Sequence, residues 1–308
     1  MRIVVTGGTG FIGGKLVQEL LHRNHTVVLL TRNLAHRPSH PEGKGVLIAL
    51  PWDGRTMGRW ASEIDGADAI INLAGEPIAA GRWSKARKTR IEKSRIDATR
   101  TIVDAIHRSQ QKPKVLISGS AVGYYGNVRS GEATEDGSAS NDFLGRLCVR
   151  WEEEATKATM DSVRVVLLRT GIVLAGDGGA LPRMIMPFKF FAGGPIGSGK
   201  QWMPWIHRDD EIRAIIFALE NENISGPINL AAPAPVTMKE FATTLGQVLH
   251  RPSWAPVPGF VLKGVLGEMS EMLLTGQRAV PKKLCDTGFT FTFSTLRDAL
   301  NAILRSDK

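Results

Sequence analysis

The glycines nearest the start of the chain stand where they could hold a phosphate. Arg2-Ile3-Val4-Val5-Thr6, a short β-branched stretch, runs directly into Gly7-Gly8-Thr9-Gly10-Phe11-Ile12-Gly13-Gly14. Glycine lets a backbone turn sharply and approach a phosphate closely, and a helix starting inside the run aims its free N–H groups at the anion. The spacing Gly7-x-x-Gly10-x-x-Gly13 in a first strand-to-helix turn implies a dinucleotide site, with Phe11 and Ile12 at the pyrophosphate. The next apolar stretch tells which dinucleotide. A free ribose calls for a carboxylate about 20 residues past the glycines, whereas a 2′-phosphate calls for arginine. Leu30-Thr31-Arg32-Asn33 offers no acid, and His36 and Arg37 follow, so Arg32 points to NADP(H), its planar fork matching a phosphate. A surface arginine closing a strand is the competing reading.

Proton chemistry has fewer candidates. The only tyrosines are the adjacent pair Tyr124 and Tyr125. Either a phenol of this pair, Tyr124 first, donates a proton, or both rings form an aromatic wall. His207 titrates near neutral pH and could shuttle protons, but it precedes a helical stretch, which favours a capping role. It shares a segment with Trp202 and Trp205; Trp83 and Phe188 add apolar surface, and Lys200 and Gln201 lie nearby. Such a pocket suits a flat or partly apolar small molecule with a polar end. Gln277 and Arg278 are further candidates to reach the same cleft. Cys148 and Cys285 are far apart and outside any CxxC pair, so no disulfide framework and no metal site is expected.

These residues need elements to place them. Strand-like runs at Arg2 to Thr6, Thr26 to Thr31, Val46 to Leu50, Ala69 to Ala74, Lys114 to Ser118 and Val163 to Thr170 alternate with amphipathic stretches at Phe11 to Arg23, Ser84 to His107 and Asp142 to Lys157. That alternation predicts an α/β fold, a doubly wound parallel sheet, over residues 1–175. Residues 176–308 read as a smaller interleaved α+β substrate lobe. Its helices are expected at Asp209 to Asn221 and Met238 to Leu249, with a strand near Ile228 to Leu230 and a return to the core around 206–230. With 308 residues the chain can bury a large core. No apolar run reaches the roughly 18 residues of a membrane span, and the first strand meets its glycine loop too soon for a secretory signal, so a cytoplasmic protein without a membrane partner is expected. The formal charge of +9 raises nucleic acid as a partner. The densest basic cluster, Arg82 to Arg100, is not confined to one helical face and has no interleaved aromatic ladder, which favours a solvated helix and no nucleic acid. Monomer and homodimer are both open.

The glycine spacing is similar to that of extended short-chain dehydrogenases/reductases. Asn72-Leu73-Ala74-Gly75-Glu76-Pro77, Gly119-Ser120-Ala121-Val122-Gly123-Tyr124-Tyr125-Gly126, Leu168-Arg169-Thr170-Gly171, Gly193-Gly194-Pro195-Ile196-Gly197-Ser198-Gly199 and Pro204-Trp205-Ile206-His207 resemble the epimerase-family subgroup, and Pro258 through Pro281 resembles its small C-terminal domain. The resemblance spans essentially the whole chain. It implies that Leu73, Ala74 and Gly75 pass the pyrophosphate and ribose, that Gly171, Ile172 and Val173 reach the nicotinamide, and that Asp53 faces the adenine amino group; an Asp setting a turn before Gly54 is the alternative. Arg95 is open between a phosphate contact and a solvent-facing role. Ser120 matches the family's serine, polarising a substrate carbonyl. The family's Tyr-x-x-x-Lys is absent: Leu144 and Cys148 stand in its positions, and the helix Asn141 to Glu152 contains no tyrosine. An NADP(H)-dependent oxidoreductase or epimerase with unusual acid-base groups is one reading, and a non-catalytic NADP(H) sensor is the other.

Overall fold

The computed structural model describes residues 1–39 and 44–306. β1 (Arg2–Thr6), α1 (Gly13–His22), β2 (Thr26–Thr31) and β3 (Val46–Pro51) form the first unit. It is followed by β4 (Ala69–Asn72), α2 (Lys85–Arg108), β5 (Val115–Ala121), α3 (Phe143–Thr156) and β6 (Arg164–Thr170). Next come β7 (Ile172–Ala175), β8 (Gly178–Gly179), α4 (Leu181–Lys189), β9 (Trp202–Met203), β10 (Trp205–His207), α5 (Arg208–Glu220) and β11 (Gly226–Leu230). The chain closes with β12 (Val236–Thr237), α6 (Met238–Leu249), α7 (Gly259–Leu266), α8 (Glu271–Leu274), α9 (Lys282–Asp286) and α10 (Leu296–Ser306).

Seven strands build one parallel sheet in the order β11-β6-β5-β4-β1-β2-β3. Side chains alternate across it: Ile3 and Val5 enter the core on the α1 and α5 side, and Val4 enters the core on the α2 side. The strand order reverses between β1 and β4, and a crevice opens at the carboxyl ends of strands at such a point. A third core, around Leu181, Phe188, Trp205, Phe241 and Leu300, holds the second lobe together. Pro182 stands in the first turn of α4 and Pro187 lies inside it, which hides this helix from a periodicity reading.

Candidate nucleotide and substrate site

Between β1 and α1 the chain closes a tight loop, with Gly10 N donating to Gly7 O at 3.0 Å and Gly14 N to Gly10 O at 2.8 Å. Gly7 has φ +69°, and a Cβ there would lie 2.5 Å from the carbonyl oxygen of Leu73. A Cβ on Gly13 would collide with the carbonyl of Gly7. Gly10 is exposed and meets only that carbonyl, leaving its outer face open. Among the described residues the N–H groups of Phe11 and Ile12 donate to no protein acceptor, so the positive end of α1 is free. Leu73 crosses beneath, its N–H donating to Thr6 O at 3.2 Å, and it carries Ala74 and Gly75 past the loop. This cradle fits a pyrophosphate.

At the end of β2, Asn33 fixes the turn through its own side chain, accepting from Ala35 N at 2.9 Å and contacting His36 Nδ1 at 2.8 Å. Arg32 is exposed beside it, with no ion pair among the described residues. Asp53 takes the turn role: Oδ1 accepts from Arg55 N and Thr56 N at 2.8 and 2.9 Å, and Oδ2 accepts from Thr56 Oγ1 at 2.8 Å. The backbone bonds from Thr56 and Arg55 hold its carboxyl below the usual range.

Past β6, Gly171 N donates to Leu230 O at 2.9 Å and Ile172 N to Pro204 O at 2.6 Å. Val173 pairs with Ile206, and its side chain is buried in the core, away from the open cradle expected to receive it. Phe11 ties the loop to the second lobe. Its ring lies against Gly178 and Gly179, where any Cβ would strike it, and the Arg208 guanidinium stands 5.1 Å from the ring centroid.

The residues expected to move protons are held by each other. Ser120 Oγ donates to Glu152 Oε1 at 2.6 Å, so that proton is not offered to a carbonyl, against the polarising role expected for Ser120. Arg169, paired across the sheet with Ser120, donates to both oxygens of Glu152 at 2.9 Å. Burial alone would lower the Arg169 pKa, but the hydrogen bonds and charge of Glu152 raise it. The Tyr125 hydroxyl accepts from Arg169 Nη1 at 2.9 Å and donates to Asn229 Oδ1 at 2.7 Å. Burial pushes that phenol up to about 12, which makes it a weaker acid than a free phenol. Tyr124 packs edge-on against Tyr125, with the Arg169 guanidinium 3.5 Å over its ring. It lines an open depression of about 480 Å³ with Val149, Glu153, Lys157 and Leu167, none of which belongs to the glycine loop, Leu73–Gly75 or Gly171–Val173. Cys148 is buried and pushed up to about 12, an inert thiol.

The expected substrate pocket is not gathered in one place. Phe188 and Trp205 are buried in the second-lobe core, and Trp205 Nε1 donates to Ala234 O at 3.2 Å. His207 caps α5, its Nδ1 accepting from Asp209 N at 3.1 Å while the ring stacks on Phe293 with centroids 3.9 Å apart. Burial lowers its pKa, and the geometry is that of the expected capping role. Trp83 packs edge-on to Phe143 with centroids 5.1 Å apart, and Trp202 lies 5.2 Å from the Arg278 guanidinium.

Arg95 is buried, against the solvent-facing role, and its Nη1 donates to Glu76 O at 3.1 Å and Ile91 O at 3.0 Å. Burial draws its guanidinium down to about 10, and the group lies beside Gly75 and 5.1 Å from the Trp151 ring centroid. Asn72 was missed in the sequence, although an amide closing an apolar strand is a visible signal. It accepts from Thr6 Oγ1 at 2.7 Å and donates to Thr99 Oγ1 at 2.9 Å, where Trp151 Nε1 also donates at 3.0 Å. Much of the basic cluster is spent internally: Arg87 and Arg90 meet Glu76, Lys88 meets Glu268 and Arg100 meets Glu154. Among the described residues no helix is long and apolar enough to cross a membrane, and no group of His, Cys, Asp and Glu could hold a metal.

Residues 3–231, most of the chain, match the NAD dependent epimerase/dehydratase family. The chain belongs to this family. Residues 257–303 match a separate Domain of unknown function, DUF1731. The Epimerase family protein SDR39U1 homolog, chloroplastic, of Arabidopsis thaliana is 44% identical over 310 residues, covering 99% of this chain and 87% of the plant protein. Epimerase family protein YfhF of Bacillus subtilis is 43% identical, covering 100% of this chain and 99% of its own. The crystal structure of human epimerase family protein SDR39U1 (isoform 2) with NADPH superposes with a TM-score of 0.88 at 36% identity, covering 99% of each chain.

Proposed function

We propose that this family member binds NADP(H) and acts as an oxidoreductase or epimerase-like enzyme on a small molecule held between the sheet and the second lobe. The observation that carries this reading is the open Gly7–Gly13 cradle followed by unpaired Arg32 at the end of a strand without a carboxylate. The NADPH of the human relative supports it. The Phe11 and Ile12 amides face the pyrophosphate, Arg32 takes the 2′-phosphate, and Leu73, Ala74 and Gly75 line the ribose. Arg95 places a positive charge beside Gly75, and the backbone of Gly171 and Ile172 serves the nicotinamide end. When bound, the cofactor supplies or accepts a hydride. The chain's part is to bind and orient, because its serine and buried tyrosine are held in the Glu152–Arg169 network. Residues 1–175, with the return near 206–230, make the nucleotide core, and the remainder to 308 makes the substrate lobe. The protein is proposed to work in the cytoplasm as a monomer or homodimer, with no nucleic-acid or membrane partner.

A specific observation favours a second reading, a non-catalytic NADP(H) sensor: Ser120, Tyr125 and Cys148 are all buried and committed. NADPH titration should show saturable binding near one per chain, and its absence defeats both readings. Oxidation of bound NADPH by any of a panel of small carbonyl compounds supports the enzyme; tight binding without oxidation by any of them supports the sensor.

A further inference from the structure

Three segments meet at Arg278. Val128 N donates to Gly276 O at 3.0 Å and Ala133 N to Arg278 O at 2.9 Å, zipping the strand-like stretch 276–279 to the loop that follows β5. Gly276 presses against the Trp202 backbone so closely that any Cβ would collide with the Trp202 carbonyl oxygen, which fixes the position of Arg278 over the indole. The backbone is therefore anchored on both sides, while the guanidinium has the Trp202 face and the Glu132 carboxylate near it. Among the described residues its Nε is buried without a hydrogen-bond partner. Among the described residues its Nη2 meets Glu132 Oε1 alone, at 3.6 Å, beyond hydrogen-bond range, and both side chains remain partly exposed at 40% and 49%. An unmet buried donor is costly, and the Nε–Nη2 edge is the fork that binds a carboxylate through two parallel hydrogen bonds.

We propose that Arg278 is the anion anchor of the second lobe, taking the carboxylate of a small organic acid on its Nε–Nη2 edge beside Trp202, with the Glu132 side chain displaced. Glu132 stands in for the ligand in its absence. Calling that acid the substrate rests on the function proposed above; the site itself does not.

The test is calorimetric titration of the NADPH-saturated protein with benzoate and with its neutral counterpart benzamide. Wild type should bind benzoate and discriminate against benzamide. Arg278→Met should weaken benzoate binding by roughly tenfold or more and leave benzamide unchanged, the loss expected for a charged hydrogen bond. Arg278→Lys should retain part of the affinity, and Glu132→Gln, which removes the competing carboxylate, should increase it. Unchanged NADPH titrations and melting temperatures show that the variants are folded. Equal binding of benzoate and benzamide, no binding of either, or benzoate affinity indifferent to Arg278→Met would overturn the anchor. If wild type fails to bind NADPH, the same titrations on the unliganded protein still decide this site, while the proposed function falls.

Discussion

The two halves of the cleft treat their polar groups in opposite ways. On the nucleotide side, the Phe11 and Ile12 amides and Arg32 have no protein partner among the described residues. On the β5–α3–β6 side, Ser120, Glu152, Arg169, Tyr125 and Asn229 satisfy one another in one buried chain of hydrogen bonds. Free donors at a surface are a binding site in waiting. Paired donors in a dry interior are a scaffold, because breaking any one strands its partner in low dielectric. The groups of this wall that could move protons are thus held by one another, while the unpaired donors lie on the nucleotide side.

The sharpest way to break this contrast is to cut the network. Arg169→Met leaves the Glu152 carboxylate buried and unpaired, and should lower unfolding stability by about 3–5 kcal/mol in a denaturant titration. A loss under about 1 kcal/mol would mean the pair is not structural, the range ordinary for exposed ion pairs.

Glu211 gives the next largest effect. It accepts from Thr170 Oγ1 at 2.9 Å, its other oxygen is buried without a partner, and burial pushes its carboxyl up to about 8. The folded chain therefore keeps a proton that the unfolded chain releases above its ordinary value of 4.5. Stability from this group is complete below about pH 4.5 and falls as pH rises to about 8, at about 1.4 kcal/mol per unit over roughly three units. Glu211→Gln should flatten that slope, so its advantage in melting temperature over wild type should be greater at pH 8 than at pH 5. Parallel pH profiles for the two proteins would refute the burial account.

The two tyrosines separate most finely. Tyr125→Phe removes a donor to Asn229 and an acceptor from Arg169, costing about 1–3 kcal/mol. The Tyr124 hydroxyl makes no hydrogen bond among the described residues, so Tyr124→Phe should stay within about 0.5 kcal/mol. Equal costs would show that the rings share one role.

How far each half could be read from the chain follows the same division. The loop from Gly7 to Gly13 and the strand Thr26–Thr31 depend on neighbours a few residues away, so spacing and β-branched residues place them directly. Met238–Leu249 matches the expected helix at both ends, and Thr237 and Glu240 form a capping box at its start. The apolar spacing of Leu296, Ala299, Leu300 and Ile303 is of the same readable kind and packs α10 on the second-lobe core. The network was not readable. Glu152 and Arg169 are brought together by strand register and by the packing of α3, and Asn229 comes from the far edge strand. Spacing carries no information about contacts of that kind. Trp205 and Phe188 failed for the same reason: an aromatic residue near a glycine-rich segment fits a pocket wall and a lobe core equally well until the lobe's packing is known.

A free arginine at the end of β2 and an open backbone cradle are expected to select NADP(H), while the opposite wall serves as scaffold. Fluorescence titration of wild type and Arg32→Asp with NADPH and NADH tests it most directly. Wild type should prefer NADPH, and Arg32→Asp should weaken NADPH by roughly 10- to 150-fold while leaving NADH within about twofold. Equal losses for both dinucleotides, or a wild type that binds them alike, would contradict it.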